Sequence, residues 1–183
     1  MYFEKPGPEN TEQTLELAVA ACKDKRLSHL VVASTWGETA AKALLPARTA
    51  GLKLVVVTHN FGFSEEGKCE FDGELRREIE QAGHKVLSGT LVTRSLGKAI
   101  AVKLGFSESE LIAGTLRIFG QGVKVCVEMA CMAADHGLVP SEDCVFVAGT
   151  SRGADTACII RPASSNKFFD LKVREILCKP RDF

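Results

Sequence analysis

Three short apolar runs punctuate the chain: LVVA at 30–33, LVVV at 54–57 and VFVA at 145–148. Each is rich in β-branched residues, apolar at consecutive positions and bounded by polar turn residues. That pattern predicts strands covered on both faces, over His29 to Ser34, Leu52 to Thr58 and Cys144 to Ala148. Shorter strand-like runs follow at Lys85 to Leu87, Thr156 to Arg161 and Val173 to Cys178. Between them the period changes to that of a helix. Leu15, Ala18, Val19 and Cys22 share one face of a helix from Thr11 to about Arg26, with Asn10 or Thr11 at its start. Thr39 to Ala50 forms the next, stopped by Gly51, and Asp72 caps another that runs to about Ala82 and ends at Gly83.

The stretch after residue 92 is helical for over forty positions. Thr93 to Leu104 is one segment, and Ser107 to about Phe119 is another, opened by a capping box from Ser107 to Glu110. After Gly120-Gln121-Gly122, Val123 to His136 is apolar all round, which predicts a buried central helix. Strands alternating with helices predict an α/β protein: a single domain over 1–183, a three-layer αβα sandwich on a mostly parallel sheet of five to six strands. The long helical segment must carry the chain back across the sheet to begin the strand at Cys144.

Composition narrows the function without naming it. The chain has 183 residues, with 23 Lys plus Arg against 23 Asp plus Glu. Such a balance gives no overall field to draw nucleic acid or a membrane surface, so neither partner is expected. The N-terminus, MYFEKPGPEN, lacks the basic start and apolar core of a signal peptide, and a cytoplasmic location is expected. Seven cysteines, an odd number with no CxxC pair, sit mostly among Val, Ile, Ala and Leu, as reduced buried thiols do. Cys69, in the loop EEGKCEF beside Lys68, is the only one whose neighbours hint at an electropositive, accessible setting. The four histidines show no metal-ligand spacing, and no metal is expected.

Candidate chemistry gathers where strands end, because open α/β sheets bind ligands beyond the carboxyl ends of their strands. After the first strand come Ser34, Thr35, Trp36, Gly37, Glu38 and Thr39. Hydroxyls and a glycine at the start of a helix can cradle a phosphate on free amides and the positive dipole end. The same residues can also serve as a plain helix cap. After VFVA come Gly149, Thr150, Ser151, Arg152, Gly153 and Asp155. Arg152 could meet a phosphate, and Asp155 could orient it; alternatively the segment is a tight turn between strands. At Gly120, Gln121 and Gly122 a third glycine-rich turn precedes Lys124, a cation at the wrong end of a helix. An anionic ligand would relieve that conflict, as would an ion pair with Glu128. Finally, Thr58, His59, Asn60, Phe61 and Phe63 follow the second strand and offer polar heads with flat apolar surface. No nucleophile–base pair is identifiable, so no catalytic residue is assigned.

The runs LVVASTWGETAAKALLPAR, KLVVVTHNFGF and DCVFVAGTSRGADTACIIRPA resemble the C-terminal α/β domain of pyruvate kinase over almost the whole chain. The tail SSNKFFDLKVREILCKPR is similar to that of stand-alone relatives of that domain. The resemblance implies a regulatory-domain fold whose hydroxyl-rich turn, here Ser34 to Thr39, holds a phosphate. It implies that the first strand lies beside the Cys144 strand, so that the two loops face each other. It also excludes pyruvate kinase activity, because the catalytic barrel has no counterpart in a chain of this length. The stand-alone relatives point to flavin mononucleotide as ligand, with a possible flavin-dependent oxidoreductase activity. A non-catalytic sensor of a sugar phosphate is the alternative. A homodimer is compatible with such a domain.

Overall fold

A computed structural model describes all residues, 1–183, with side chains. The helices form within a few residues of where the period predicted them: α1 Thr11–Asp24, α2 Glu38–Thr49, α3 Gly73–Gln81, α4 Ser95–Leu104, α5 Glu108–Arg117 and α6 Gln121–Asp135, although Asn10 makes no side-chain cap at α1 and Gln121 and Gly122 belong to α6 rather than interrupting it. Asp72 accepts from the amides of Glu74 and Leu75, and Ser107 from that of Glu110, so both caps act as expected. The strands are β1 Tyr2–Phe3, β2 His29–Ala33, β3 Lys53–Thr58, β4 Lys85–Ser88, β5 Cys144–Ala148, β6 Thr156–Arg161 and β7 Lys172–Pro180. No helix is long and apolar enough to cross a membrane.

The seven strands form one sheet in the order β1-β7-β6-β5-β2-β3-β4. Four neighbouring pairs are parallel, while β6 runs antiparallel to both β5 and β7. Two features differ from the alternation read in the sequence. The two-residue β1 adds a seventh strand, and no periodicity could announce so short an element. The run after β5 turns straight back as a hairpin, because only seven residues, 149–155, separate β5 from β6. A parallel crossover needs a dozen or more.

Both faces of the central strands β2, β3, β5 and β6 are buried, and these strands divide their side chains between the two faces with period two, while β7 is exposed over most of its length. Leu30, Val32, Leu54, Val56, Val145 and Val147 face α1 and α2 in one core with Ala18, Ala40, Ala43 and Ala47. Val31, Val55, Val57, Phe146 and Ala148 face α6 in the other, against Val123, Cys126, Val127, Met129 and Met132. This is the three-layer sandwich that consecutive apolar strand positions require. Strand order, not strand direction, reverses between β2 and β5: β3 and β4 extend to one side of β2, and β5, β6 and β7 to the other. The loops leaving β2 and β5 therefore diverge from adjacent parallel strands and leave a crevice between them.

Candidate functional site

The crevice at the β2/β5 switch point is a hollow of about 240 Å³. One wall is Ala33, Ser34, Thr35, Trp36, Glu38 and Thr39; the opposite wall is Gly149 to Gly153. His59, Gln121 and Val125 close the floor between them. Two loops that lie over a hundred positions apart in sequence thus line one cavity, and β2–β5 pairing is the cause.

The first wall is built by backbone geometry. The Ser34 amide donates to the Val57 carbonyl, continuing the strand ladder by one residue, and the Ser34 hydroxyl accepts from the Ala40 amide at 3.3 Å. Thr58 donates its hydroxyl to the Thr35 carbonyl at 3.1 Å. Gly37 then turns the chain into α2 at φ 121°, a conformation open to glycine, and packs so closely that a Cβ would lie 2.6 Å from Leu75 Cδ2. With Ala40 capped and Ala41 bonded to the Gly37 carbonyl, the amides of Glu38 and Thr39 form the open first turn of the helix. Ser34 and Thr39 are themselves buried.

The second wall is held from behind. Asp155, wholly buried, accepts from the Thr150 amide at 3.1 Å and from the Thr156 hydroxyl at 2.8 Å. The Ala154 amide donates to Thr11 at 3.0 Å, which ties the hairpin to α1. These bonds leave the Thr150 hydroxyl buried at the cavity without any partner. At the mouth, Arg152 reaches across the crevice to Glu38 at 3.0 Å and lies 5.5 Å from the centroid of the Trp36 ring. Both charged side chains are over 60% exposed, so this bridge is worth only about 0–1 kcal/mol and can open.

A second hollow of about 190 Å³ adjoins the first and shares Ala33, Ser34, Thr35, His59, Gln121 and Val125 with it. Its other lining is of a different character: Val57, Thr58, Phe63, Leu91, Met129 and Met132, with Arg94, Arg117, Lys124 and Glu128. His59 stands in the shared wall, its ring centroid 3.8 Å from that of Phe63. Its Nδ1 is buried and unpartnered, and burial holds the imidazole below its usual pKa, so the neutral ring is favoured.

Several residues singled out by sequence lie outside the first hollow or are engaged by other parts of the protein. Lys124 is ion-paired with Glu128, both side chains 4% exposed, and Glu128 also accepts from the amide and hydroxyl of Thr93. The intrahelical pair offsets the cation at the helix start, and Lys124 also lines the second hollow. Asp155 faces the hairpin's own backbone and not the cavity. Gly122 allows α6 to approach β6, since a Cβ there would lie 2.1 Å from the Thr156 hydroxyl oxygen. Gly120 ends at the N-cap of α6, and of this turn only Gln121 reaches either hollow. Phe61 is exposed, while Asn60 donates to the Phe61 carbonyl and lines a shallower outer hollow with Phe63, Arg94 and Lys98.

Among the lining residues that sequence reasoning did not select are Val125, Leu91, Met129, Met132, Arg94 and Arg117. The apolar ones look like any core position of a buried helix. The arginines carried a faint signal: four residues beyond them stand Lys98 and Gln121, so neither has an acid at that helical spacing. No three His, Cys, Asp or Glu side chains are grouped to hold a metal ion. All seven cysteines are free, and burial pushes the thiols of Cys22, Cys131 and Cys144 up to about 12, far from reactive thiolate. No family model matches the chain.

Proposed function

We propose that this protein binds a phosphorylated small molecule at the β2/β5 switch point, with flavin mononucleotide as the ligand. The observation that carries the reading is the first hollow, which sets an open helix N-terminus opposite a buried hydroxyl, Thr150, that has no partner of its own. A phosphate there would accept from the amides of Glu38 and Thr39 and from the hydroxyls of Thr35, Thr39, Thr150 and Ser151. Arg152 would swing from Glu38 to the phosphate, as a charge-assisted bond to a dianion outweighs an exposed ion pair.

The second hollow favours a flavin over a sugar. Phe63, Leu91, Met129 and Met132 give a planar ring apolar walls, and the ribityl chain would cross the shared wall at Thr35, His59 and Gln121. Together the hollows reach the lower part of the roughly 300–1,000 Å³ usual for small-molecule clefts. The flavin would supply electron transfer, and the chain would bind and orient it, in a cytoplasmic protein that is not a pyruvate kinase. The resemblance to the pyruvate kinase C-terminal domain supports the phosphate end of this reading.

A second reading rests on the lining of the first hollow, in which hydroxyl, amide and charged groups predominate. A non-catalytic sensor of a sugar phosphate would use that hollow alone. The two readings separate in one experiment. The purified protein is mixed with flavin mononucleotide or riboflavin, desalted and scanned in the visible. A stoichiometric band retained with the mononucleotide and not with riboflavin supports the flavin reading. No retained band, with a thermal shift on adding sugar phosphates, supports the sensor.

A further inference from the structure

The second hollow combines two properties that oppose each other unless a particular kind of ligand is bound. Its body is apolar: Val57, Met129 and Met132 are at most 5% exposed, and Phe63, Leu91 and Val125 complete the walls. Its rim is cationic. Glu128 is the only carboxylate in the lining, and it is already occupied by Lys124 and by both donors of Thr93. That pair cancels, and two guanidinium groups remain.

Arg94 meets no carboxylate within 4 Å; its guanidinium lies 5.2 Å from the centroid of the Phe63 ring. Arg117 donates Nε–H to Gln121 Oε1 at 2.9 Å, which orients the fork and leaves its terminal N–H groups free. Both arginines are only partly exposed. Between them and the first hollow stands His59, whose buried Nδ1 has no partner. Two unpaired forks at the edge of an apolar slot suit a planar body with a negatively charged edge, since a fork meets a carboxylate or similar anion on two N–H donors.

We propose that the second hollow is an anion-selective ring site, which takes a planar apolar group bearing negative charge, with Arg94 and Arg117 as its recognition residues. This rests on and deepens the proposed function by naming what the far end of the ligand must carry, and its two recognition residues, Arg94 and Arg117, line the second hollow and not the first. On the flavin reading, the same two arginines would favour the form of the ring that carries negative charge.

The test uses benzoate, a planar apolar anion, and benzamide, its neutral counterpart, titrated into the intact protein by ligand-observed NMR. Benzoate is expected to bind at least about tenfold more tightly than benzamide, the scale of one charge-assisted hydrogen bond. Arg94→Gln and Arg117→Gln should each weaken benzoate by about tenfold while leaving benzamide unchanged, and Arg117→Lys should restore only part of the loss. Thermal melts of each variant report whether it is folded. Equal binding of the two probes, binding of neither, or indifference to both glutamine variants overturns the proposal. Flavin mononucleotide that binds while benzoate and benzamide are not distinguished would leave the flavin reading standing and remove this one. Benzoate selectivity without flavin binding does the reverse.

Discussion

Thr150→Val separates the stability of the free protein from its affinity for a ligand. The substitution keeps the branch at Cβ and replaces a hydroxyl with a methyl group. The Thr150 amide stays bonded to Asp155, so the hairpin backbone keeps its anchor. In the free protein the Thr150 hydroxyl oxygen is buried without a partner, and such a group costs about 1–3 kcal/mol. The residue as a whole is only half-buried, which places the effect at the lower end. The variant should therefore be more stable by about 1 kcal/mol, a rise in Tm of about 2–4 °C for a chain of this size. A phosphate would lose one charge-assisted hydrogen bond, about 1.5–3 kcal/mol, so Kd should rise by about 10- to 100-fold. Thermal melts and calorimetric titration with flavin mononucleotide read the two effects on one sample. A variant destabilised by more than about 1 kcal/mol would show that the hydroxyl already has a partner. A stabilised variant with unchanged affinity would show that the hydroxyl does not face the ligand. Either result refutes the reasoning.

Glu128→Gln should cost about 3–5 kcal/mol in urea unfolding, because Lys124 would remain buried and charged without its partner. Adding Lys124→Met should recover most of that loss, as the amide oxygen introduced by the first substitution can still accept from Thr93; a double variant no better than the single one would argue against a pairwise origin. Ser34→Asp should abolish phosphate binding by like-charge repulsion, and full affinity in a folded variant would sink the first hollow as an anion site. Arg152→Ala should leave stability within about 0.5 kcal/mol, since its only ion pair is exposed, yet speed ligand dissociation in stopped-flow. Burial lowers the pKa of His29, His59 and His84. The unfolded chain then takes up protons before the folded one as pH falls through about 6.5. Urea melts should show stability falling from about pH 7 to about pH 5. His84→Asn should flatten part of that slope, since the neutral His84 Nδ1 accepts from the Leu54 amide and the imidazolium cannot.

What the sequence determined is local, and it is local for a physical reason. Consecutive apolar residues at 30–33, 54–57 and 145–148 read as strands covered on both faces, and α6, apolar over most of its surface, reads as a buried helix. Caps at Asp72 and Ser107 act through bonds two or three residues away, so their signals survive in one dimension. The hydroxyl-rich exits of β2 and β5 were legible for the same reason, since a strand that opens into glycines and hydroxyls has a local signature.

Tertiary structure decided everything that depends on which strands are neighbours. Only the pairing of β2 with β5 makes two loops into one hollow, and only the hairpin after β5 turns Asp155 away from that hollow to hold its own backbone. The fate of Lys124 was open between ligand and ion pair until burial and the donors of Thr93 fixed Glu128 beside it. The second hollow left almost no trace in the chain. Its arginines stand at the ends of separate helices and its apolar walls are ordinary core residues, so their shared role exists only where α6, the turn before α4 and the end of β3 meet in space.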